Sequence, residues 1–172
     1  MQFLDSEFAE LTVAAAMEQN PFTLSAAETG MNSISVSVSP KSKTRTYYCG
    51  YALKSDFDKY ASTEEFIGSV RRKLSASALI AGVSFEEYLA TQLVQGDHPF
   101  EFTGLKPETD YVVYAVGWYA PGDLLTTVLV SAPATTLPDA SGEVTVTFEN
   151  VASDGFDVVC TPDAAIEKYY VY

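Results

Sequence analysis

The chain has 172 residues, with 23 Asp and Glu against 10 Lys and Arg, so its formal net charge is −13. This length is typical of about one domain. Because basic residues are so few, we expect no nucleic-acid-binding surface. The sequence contains no run of about 18 apolar residues, so we predict no transmembrane helix. A hydrophobic content of 47% with 13% aromatic residues is sufficient for a folded core.

The first 20 residues form a separate N-terminal segment whose structure stays open between two alternatives. Phe8, Leu11 and Ala15 have helical spacing, whereas Leu11–Ala14 is equally typical of a short strand. Four acidic residues, Asp5, Glu7, Glu10 and Glu18, interrupt the apolar stretch that a signal peptide needs, and the segment does not begin with basic residues. We therefore predict no signal peptide in this chain.

Two strands are predicted next. Residues 33–39 alternate serine with apolar side chains, which is typical of a half-buried antiparallel strand. Residues 46–53 predict a second strand, with Tyr47 and Cys49 on one face and Tyr48 on the other.

Two helices are predicted at about residues 62–95. Ser62–Glu65 and Ser84–Glu87 each match the capping box, in which Ser and Glu side chains bond the first free amides of a helix. Gly82 is the predicted end of the first helix, and Gly96 that of the second. The first helix carries an apolar stripe of Phe66, Ile67, Val70, Leu74, Leu79 and Ile80.

Strand patterning returns at Phe100. Residues 111–116 and 124–130 predict two strands, which the turn Ala120–Asp123 joins in a hairpin. Residues 139–142 read as a linker. The prediction is a domain at 21–138, followed by a linker and a further segment at 139–172.

The segment after the linker repeats the start of the domain at an offset of 122 residues. Phe22–Leu24 aligns with Val144–Val146, and residues 34–38 align with 156–160, without a gap. This predicts a partial second repeat, although two strand pairs of common pattern are an alternative. Two strands cannot bury a core alone. We expect them to pack on the domain, on residues 1–20, on a longer chain or on a second molecule as a homodimer.

The segment from Leu105 through Pro107 and Thr109 to Tyr111 resembles the fibronectin type III pattern. The resemblance covers residues 22–138 and implies an immunoglobulin-like antiparallel β-sandwich with a two-helix insertion. It implies a tyrosine corner at Tyr111, supported by Leu105 and Pro107. The chain departs from the family because its early strand lacks the usual tryptophan.

The combination of a Tyr-Tyr strand, a capped helical pair and the Tyr111 strand resembles fibronectin-like repeats of Bacteroidetes surface lipoproteins. That resemblance implies a cell-surface or extracellular location, tandem arrangement and a lipid anchor in a longer precursor. No lipid-attachment cysteine motif is present in this chain. The predicted function is a non-catalytic structural spacer or adhesion unit with a protein or glycan partner.

No standard catalytic motif is found. His98 is the single histidine, and we expect it in an exposed loop. The motif Gly-x-Ser-x-Gly and the glycine-rich phosphate loops are missing. The sequence therefore predicts no enzyme and no cofactor.

Metal ligands are also few. One histidine and two cysteines do not make a standard zinc site, and the acidic pairs at 56/58 and 154/157 lack the full calcium loop. We predict no metal. Cys49 and Cys160 have no motif spacing, so two separate thiols are expected rather than a disulfide.

Aromatic residues are the remaining signal for a binding site. Trp118, Tyr119, Tyr48 and Tyr114 lie on strands that the fold makes neighbours. If their outward rings are exposed, they form a platform for sugar rings, and the chain is a carbohydrate-binding module. If the helical pair covers them, they are core residues. We favour the second interpretation.

Overall fold

A computed structural model of the chain describes residues 20–25, 28–139, 142 and 144–162. The chain divides into two compact units, Met1–Leu137 and Pro138–Tyr172. The helix-or-strand alternative for the N-terminal segment lies outside the described residues.

The described part of the first unit contains nine strands and three helices. The strands are β1 (Phe22–Leu24), β2 (Glu28–Thr29), β3 (Ser33–Pro40), β4 (Thr46–Leu53), β5 (Val94–Gln95), β6 (His98–Thr103), β7 (Asp110–Tyr119), β8 (Leu124–Leu125) and β9 (Val130–Thr135). The helices are α1 (Lys54–Phe57), α2 (Thr63–Ala81) and α3 (Phe85–Gln92).

These strands form two antiparallel sheets. In the first sheet, β1 and β2 pair with one edge of β3 and β6 pairs with the other. In the second sheet, β7 lies between β4 and β9, while β5 extends the β4 edge and β8 pairs with the end of β7. The predicted antiparallel β-sandwich with a two-helix insertion is confirmed.

The core between the sheets follows from the alternation of side chains along the strands. Ile34, Val36 and Val38 of β3 face the second sheet, and the intervening serines face away. The second sheet contributes Tyr47 and Cys49, together with Tyr111, Val113, Ala115 and Ala134.

A second core lies on the other face of the same sheet, under the helices. Every residue of β7 from Tyr111 to Trp118 is buried, because one set of alternate side chains meets the first sheet and the other set meets the helices. The helix side chains in this core are Phe66, Ile67, Val70, Leu74 and Leu89. The first unit therefore has three layers, with the β4–β7 sheet in the middle.

Both helices begin where the capping pattern predicts. Ser84 and Glu87 form the complete capping box of α3. At α2, Ser62 accepts from the Glu65 amide, but the Glu65 carboxylate bonds the amide of Ala61 instead of that of Ser62. Gly82 ends α2 in the left-handed conformation, at φ 71°.

Two details of the helical prediction are wrong. Helix α3 ends at Gln92 rather than at Gly96, because Val94–Gln95 extend to pair with Thr46 and Tyr47 of β4. Leu79 and Ile80 are exposed at 82% and 88%, so the apolar stripe does not continue through them.

The described part of the second unit is one antiparallel hairpin of β10 (Val144–Ala152) and β11 (Gly155–Pro162). Its register repeats that of the first unit. Phe22 pairs with Pro40 and Leu24 with Val38 in the first unit, while Val144 pairs with Pro162 and Val146 with Cys160 in the second. Each residue is displaced by the same 122 positions, so the repeat in the sequence is also a repeat of strand pairing.

Candidate functional site

The exposed aromatic platform around Trp118, which was the alternative to helical cover, is not formed by Trp118, Tyr114 or Tyr48. Trp118 is 0% exposed, Tyr114 is 4% exposed and Tyr48 is half-buried. Their side chains point to the face of the sheet that α2 and α3 cover. The platform interpretation is therefore wrong for these three residues, and the helical cover is the physical reason.

Trp118 is held by polar contacts as well as by packing. Its indole Nε1 donates a 2.8 Å hydrogen bond to Oδ1 of Asp123. The other carboxylate oxygen, Oδ2, is 2.8 Å from Nε of Arg71. The Arg71 guanidinium lies 5.5 Å from the centre of the indole ring. Arg71 of α2, Trp118 of β7 and Asp123 of the β7–β8 turn therefore contact one another in pairs.

The packing of Tyr48 and Tyr114 beneath the helices requires a glycine at position 50. A Cβ atom at Gly50 would lie 2.8 Å from the hydroxyl oxygen of Tyr114 and 2.9 Å from a ring carbon of Tyr48. Burial raises the pKa of both Tyr48 and Tyr114, whose ring centres lie 6.2 Å apart. These phenols therefore remain neutral and belong to the core.

Tyr119 differs from the other three predicted residues, because its side chain is 52% exposed. It lines an open groove of about 450 Å³ together with Arg45 and three threonines, Thr44, Thr46 and Thr126. Thr46 Oγ1 donates a 2.6 Å hydrogen bond to the Trp118 carbonyl, which fixes the groove floor to β7. Thr126 Oγ1 is buried without a hydrogen-bond partner among the described residues.

This groove combines one aromatic ring, hydroxyl groups and a single cation. Such a lining suits a polar ligand with an apolar face, because the ring offers stacking and the hydroxyls both donate and accept. The sequence pattern included Tyr119 but could not separate it from its buried neighbours. It is the last residue of β7 and lies on the face opposite Trp118, so the helices do not cover it.

The tyrosine-corner residues lie close together. Tyr111 is 4% exposed, and its hydroxyl accepts a 2.9 Å hydrogen bond from the amide of Lys106. Leu105 is buried at 5% exposure, and Pro107 is half-buried. The amide of Leu105 in turn donates to the Asn32 carbonyl. A buried tyrosine that bonds to backbone a few residues upstream is the arrangement that defines a tyrosine corner.

His98 does not lie in an exposed loop, as the sequence suggested. It begins β6, where it pairs with Val38, and it is half-buried against the Phe100 ring at 4.7 Å. Its Nδ1 is buried and has no hydrogen-bond partner in the part of the chain that the structure describes. The pairing of β6 with β3 explains the difference, since it draws the first residue of the strand into the sheet.

The buried cysteine and the acidic pair at 56/58 do not form a reactive site. Burial raises the pKa of the Cys49 thiol to about 12, so it carries no thiolate near neutral pH. Asp56 forms an ion pair with Lys59, and Asp58 forms one with Lys54. Among the described residues, no three His, Cys, Asp or Glu side chains converge as metal ligands.

The second unit presents an exposed apolar surface on one side of the hairpin. We call it the hairpin face and define it by Val144, Val146, Phe148, Phe156, Val158 and Cys160. Phe148 and Phe156 are 62% and 59% exposed, and their rings meet edge-on at 5.4 Å. The sequence predicted unsatisfied strands here, and the structure shows which side of them is apolar.

No protein-family model matches the sequence, and no curated protein is significantly similar to it. Over the described residues, none of the helices has the length and apolar character needed to cross a membrane.

Proposed function

We propose that this chain is a non-catalytic β-sandwich module of a cell-surface protein, acting as a spacer or adhesion unit in a tandem array. The observation that carries the proposal is the repeated register. The pairing of β1 with β3 recurs between β10 and β11 at an offset of 122 residues. A chain that repeats a strand plan in this way is built as successive modules.

The fibronectin type III likeness supports the same proposal. One sheet contains β1, β2, β3 and β6, and the other contains β5, β4, β7 and β9, which is the strand grouping of that family's sandwich. The hydrogen bond between Tyr111 and Lys106 adds the tyrosine corner. The surface location and the lipid anchor of a longer precursor rest on this resemblance.

Surface location can be tested directly on cells of the source organism. Antibodies against the purified chain should label intact cells, and protease added outside should remove the label. A cytoplasmic marker serves as the control for cell integrity. Labelling that appears only after the cells are permeabilised would contradict the proposal.

A second candidate function is carbohydrate binding at the Tyr119 groove. The observation in its favour is the 52% exposed ring beside the threonine hydroxyls and Arg45. On a glycan array, Tyr119→Ala should abolish any binding, whereas Tyr119→Phe keeps the stacking ring and should retain most of it. Equal binding by both variants would remove the groove from consideration.

A further inference from the structure

We propose that the reversal between α2 and α3 is a membrane-contact site, at which an apolar tip enters the headgroup region of a zwitterionic lipid surface. We call residues 79–84 the helical tip. Three features of the first unit support this contact: the exposure of the tip, its internal hydrogen bonds and two cations that lie two helical turns before it. The contact does not depend on the proposed function.

The helical tip lies outside the core of the first unit. The buried residues of α2 end at Ala78, and every residue of the tip is exposed. Leu79 and Ile80 are 82% and 88% exposed, and Val83 is 44% exposed. A Cβ atom at Gly82 would meet no described atom within 4 Å apart from its chain neighbours. Three large apolar side chains therefore face solvent, which is unfavourable unless something covers them.

The tip carries no charge, although the chain is strongly acidic. None of its six residues is Asp, Glu, Lys or Arg. The last turn of a helix usually favours Lys or Arg, whose charge complements the helix dipole. The last turn of α2 has no basic residue and contains Leu79 and Ile80 instead. The tip can therefore leave water without desolvating a charged side chain of its own.

The backbone amides of the tip are bonded within the chain. The amides of Gly82 and Val83 donate 3.2 Å hydrogen bonds to carbonyls in the last turn of α2. The amide of Ser84 donates to the Glu87 carboxylate at 2.9 Å, as part of the capping box of α3. A segment that enters the boundary of a bilayer loses water, and an unbonded amide makes that loss costly. These three donors already have partners, so their transfer is not penalised in this way.

Two cations lie before the tip on the same faces of α2. Arg72 precedes Leu79 by seven residues and Lys73 precedes Ile80 by seven, so each pair shares a helix face. Both cations are exposed. Seven helical residues span about 10 Å. Because interfacial helices bury their apolar side about 5–10 Å into the headgroup boundary, insertion of the tip would bring both cations to the depth of the lipid phosphates.

The charges around the tip favour a zwitterionic lipid surface over an acidic one. Glu86 and Glu87 follow the tip at the start of α3, where Glu86 accepts from the Gly122 amide and Glu87 from Ser84. Together with the net charge of −13, these carboxylates oppose contact with a strongly anionic surface. Phosphocholine headgroups carry no net charge, yet their phosphates can bond the two cations of α2.

The size of the tip favours a lipid surface over a protein partner. A standard protein interface buries roughly 800 Å² on each side and uses about 20–30 residues. The tip offers only three large apolar side chains, Leu79, Ile80 and Val83, at the end of a helical hairpin. A lipid surface needs no matching pocket, so even this small area can partition into it.

Flotation of the full 172-residue chain with phosphatidylcholine vesicles tests the proposal, with two exposed leucines as a matched pair. Leu79→Gln removes an apolar side chain from the tip and keeps a good helix former. Leu137→Gln makes the same change at a leucine that is 50% exposed outside the tip. Wild type should be half bound at about 1–10 mM lipid, more weakly than a single myristoyl chain binds. Leu79→Gln should weaken binding about tenfold, and Leu137→Gln should leave it unchanged.

The cations supply a second matched pair. Lys73→Gln and Lys106→Gln each remove one exposed positive charge, but only Lys73 lies on the face that leads to the tip. Lys73→Gln should weaken binding about two- to fivefold, whereas Lys106→Gln should not change it. Fluorescence of Trp118, which the helices cover, verifies that each variant keeps α2 and α3 in place.

Wild type that remains unbound at about 10 mM lipid would overturn the proposal, as would equal losses in Leu79→Gln and Leu137→Gln. Sedimentation velocity of the same proteins covers the main alternative. Wild type that stays off vesicles but self-associates, and loses that association in Leu79→Gln, would assign the tip to a second copy of the chain instead. None of these results affects the cell-surface labelling test, so the two proposals fail separately.

Discussion

Nε1 of Trp118 donates its hydrogen bond to Oδ1 of Asp123, five residues along the chain, across the turn that joins β7 to β8. The same carboxylate meets Arg71 of α2, and the amide of Gly122 donates to Glu86 of α3. The turn is thus the point where both helices are fastened to the sheet. These polar contacts add to the apolar packing of the helices on the same face.

Substitution of Asp123 should loosen that attachment. Asp123 has φ 53°, a left-handed conformation that asparagine tolerates and alanine does not favour. Asp123→Asn keeps an acceptor for the indole and should cost about 1 kcal/mol, whereas Asp123→Ala should cost about 2–3 kcal/mol. Chemical denaturation followed by fluorescence of the single tryptophan measures both. Equal stability of the two variants would contradict the role of the indole hydrogen bond.

Gly50 offers a test of the tyrosine core. Its Cβ substituent would meet Tyr114 and Tyr48 at less than 3 Å, so Gly50→Ala should destabilise the fold by about 1–3 kcal/mol. Gly68→Ala is the matched control, because its nearest neighbour is an Arg72 side-chain nitrogen at 3.8 Å. Because Gly68 lies within α2, Gly68→Ala should stabilise the folded chain by about 0.5–1 kcal/mol. Thermal unfolding should therefore show shifts of opposite sign, and a neutral Gly50→Ala would contradict the close contact.

The sequence predicted the two helices and their cover of the sheet because capping boxes and apolar spacing are local signals. The prediction that Leu79 and Ile80 belong to the buried stripe is wrong for a geometric reason. The buried face of α2 ends at Ala78. Successive helical residues turn by about 100°, so the next two side chains point away from the sheet although both are apolar.

The sequence favoured burial of all four aromatic residues, so it did not separate the exposed Tyr119 from the buried Trp118. The two residues are adjacent on β7, so alternation places them on opposite faces. At this end of β7 the helices cover the Trp118 side, and the Tyr119 side is open, which is a property of tertiary packing. The repeat at an offset of 122 residues could be recognised in the sequence because it preserves both the spacing and the apolar character of the side chains. The register of strand pairing follows from this spacing and character.

The Tyr111 hydroxyl should contribute to stability through one backbone bond. Tyr111→Phe leaves the Lys106 amide without its acceptor and should cost about 1–2 kcal/mol in the free energy of unfolding. Tyr51→Phe is the control, since Tyr51 is a β4 tyrosine that is 42% exposed, and it should change stability by less than about 0.5 kcal/mol. Urea titration of both variants distinguishes them, and a loss as large in Tyr51→Phe would argue against the corner.

The two thiols should react at different rates. Cys49 is buried and its pKa is raised to about 12, whereas Cys160 is partly exposed. A thiol reagent at pH 8 should therefore modify Cys160 in the native chain and reach Cys49 only on unfolding. Mass spectrometry of labelled peptides gives the site. Rapid native labelling of Cys49 would show that the core between the sheets opens readily.

The buried thiol and phenols also predict loss of stability in alkali. Burial raises the pKa of Tyr47 from 10.0 to about 12, with smaller contributions from Cys49 and Asp97, and that of Cys49 from 9.0 to about 12. Because folding holds these groups in the protonated form, their contribution is complete below pH 9 and is lost as the pH rises toward 12. For Cys49 alone, the loss approaches about 1.4 kcal/mol per pH unit.

Urea midpoints measured between pH 7 and 11 check this expectation. The wild-type midpoint should hold up to about pH 9 and then fall with increasing slope as the tyrosines begin to contribute. Cys49→Ala removes one titrating group, so the variant should begin less stable, because of the cavity, but decline more gently above pH 9. Parallel curves for the two proteins would mean that the thiol ionises as readily in the folded chain as in the unfolded one, in contradiction to its burial between the sheets.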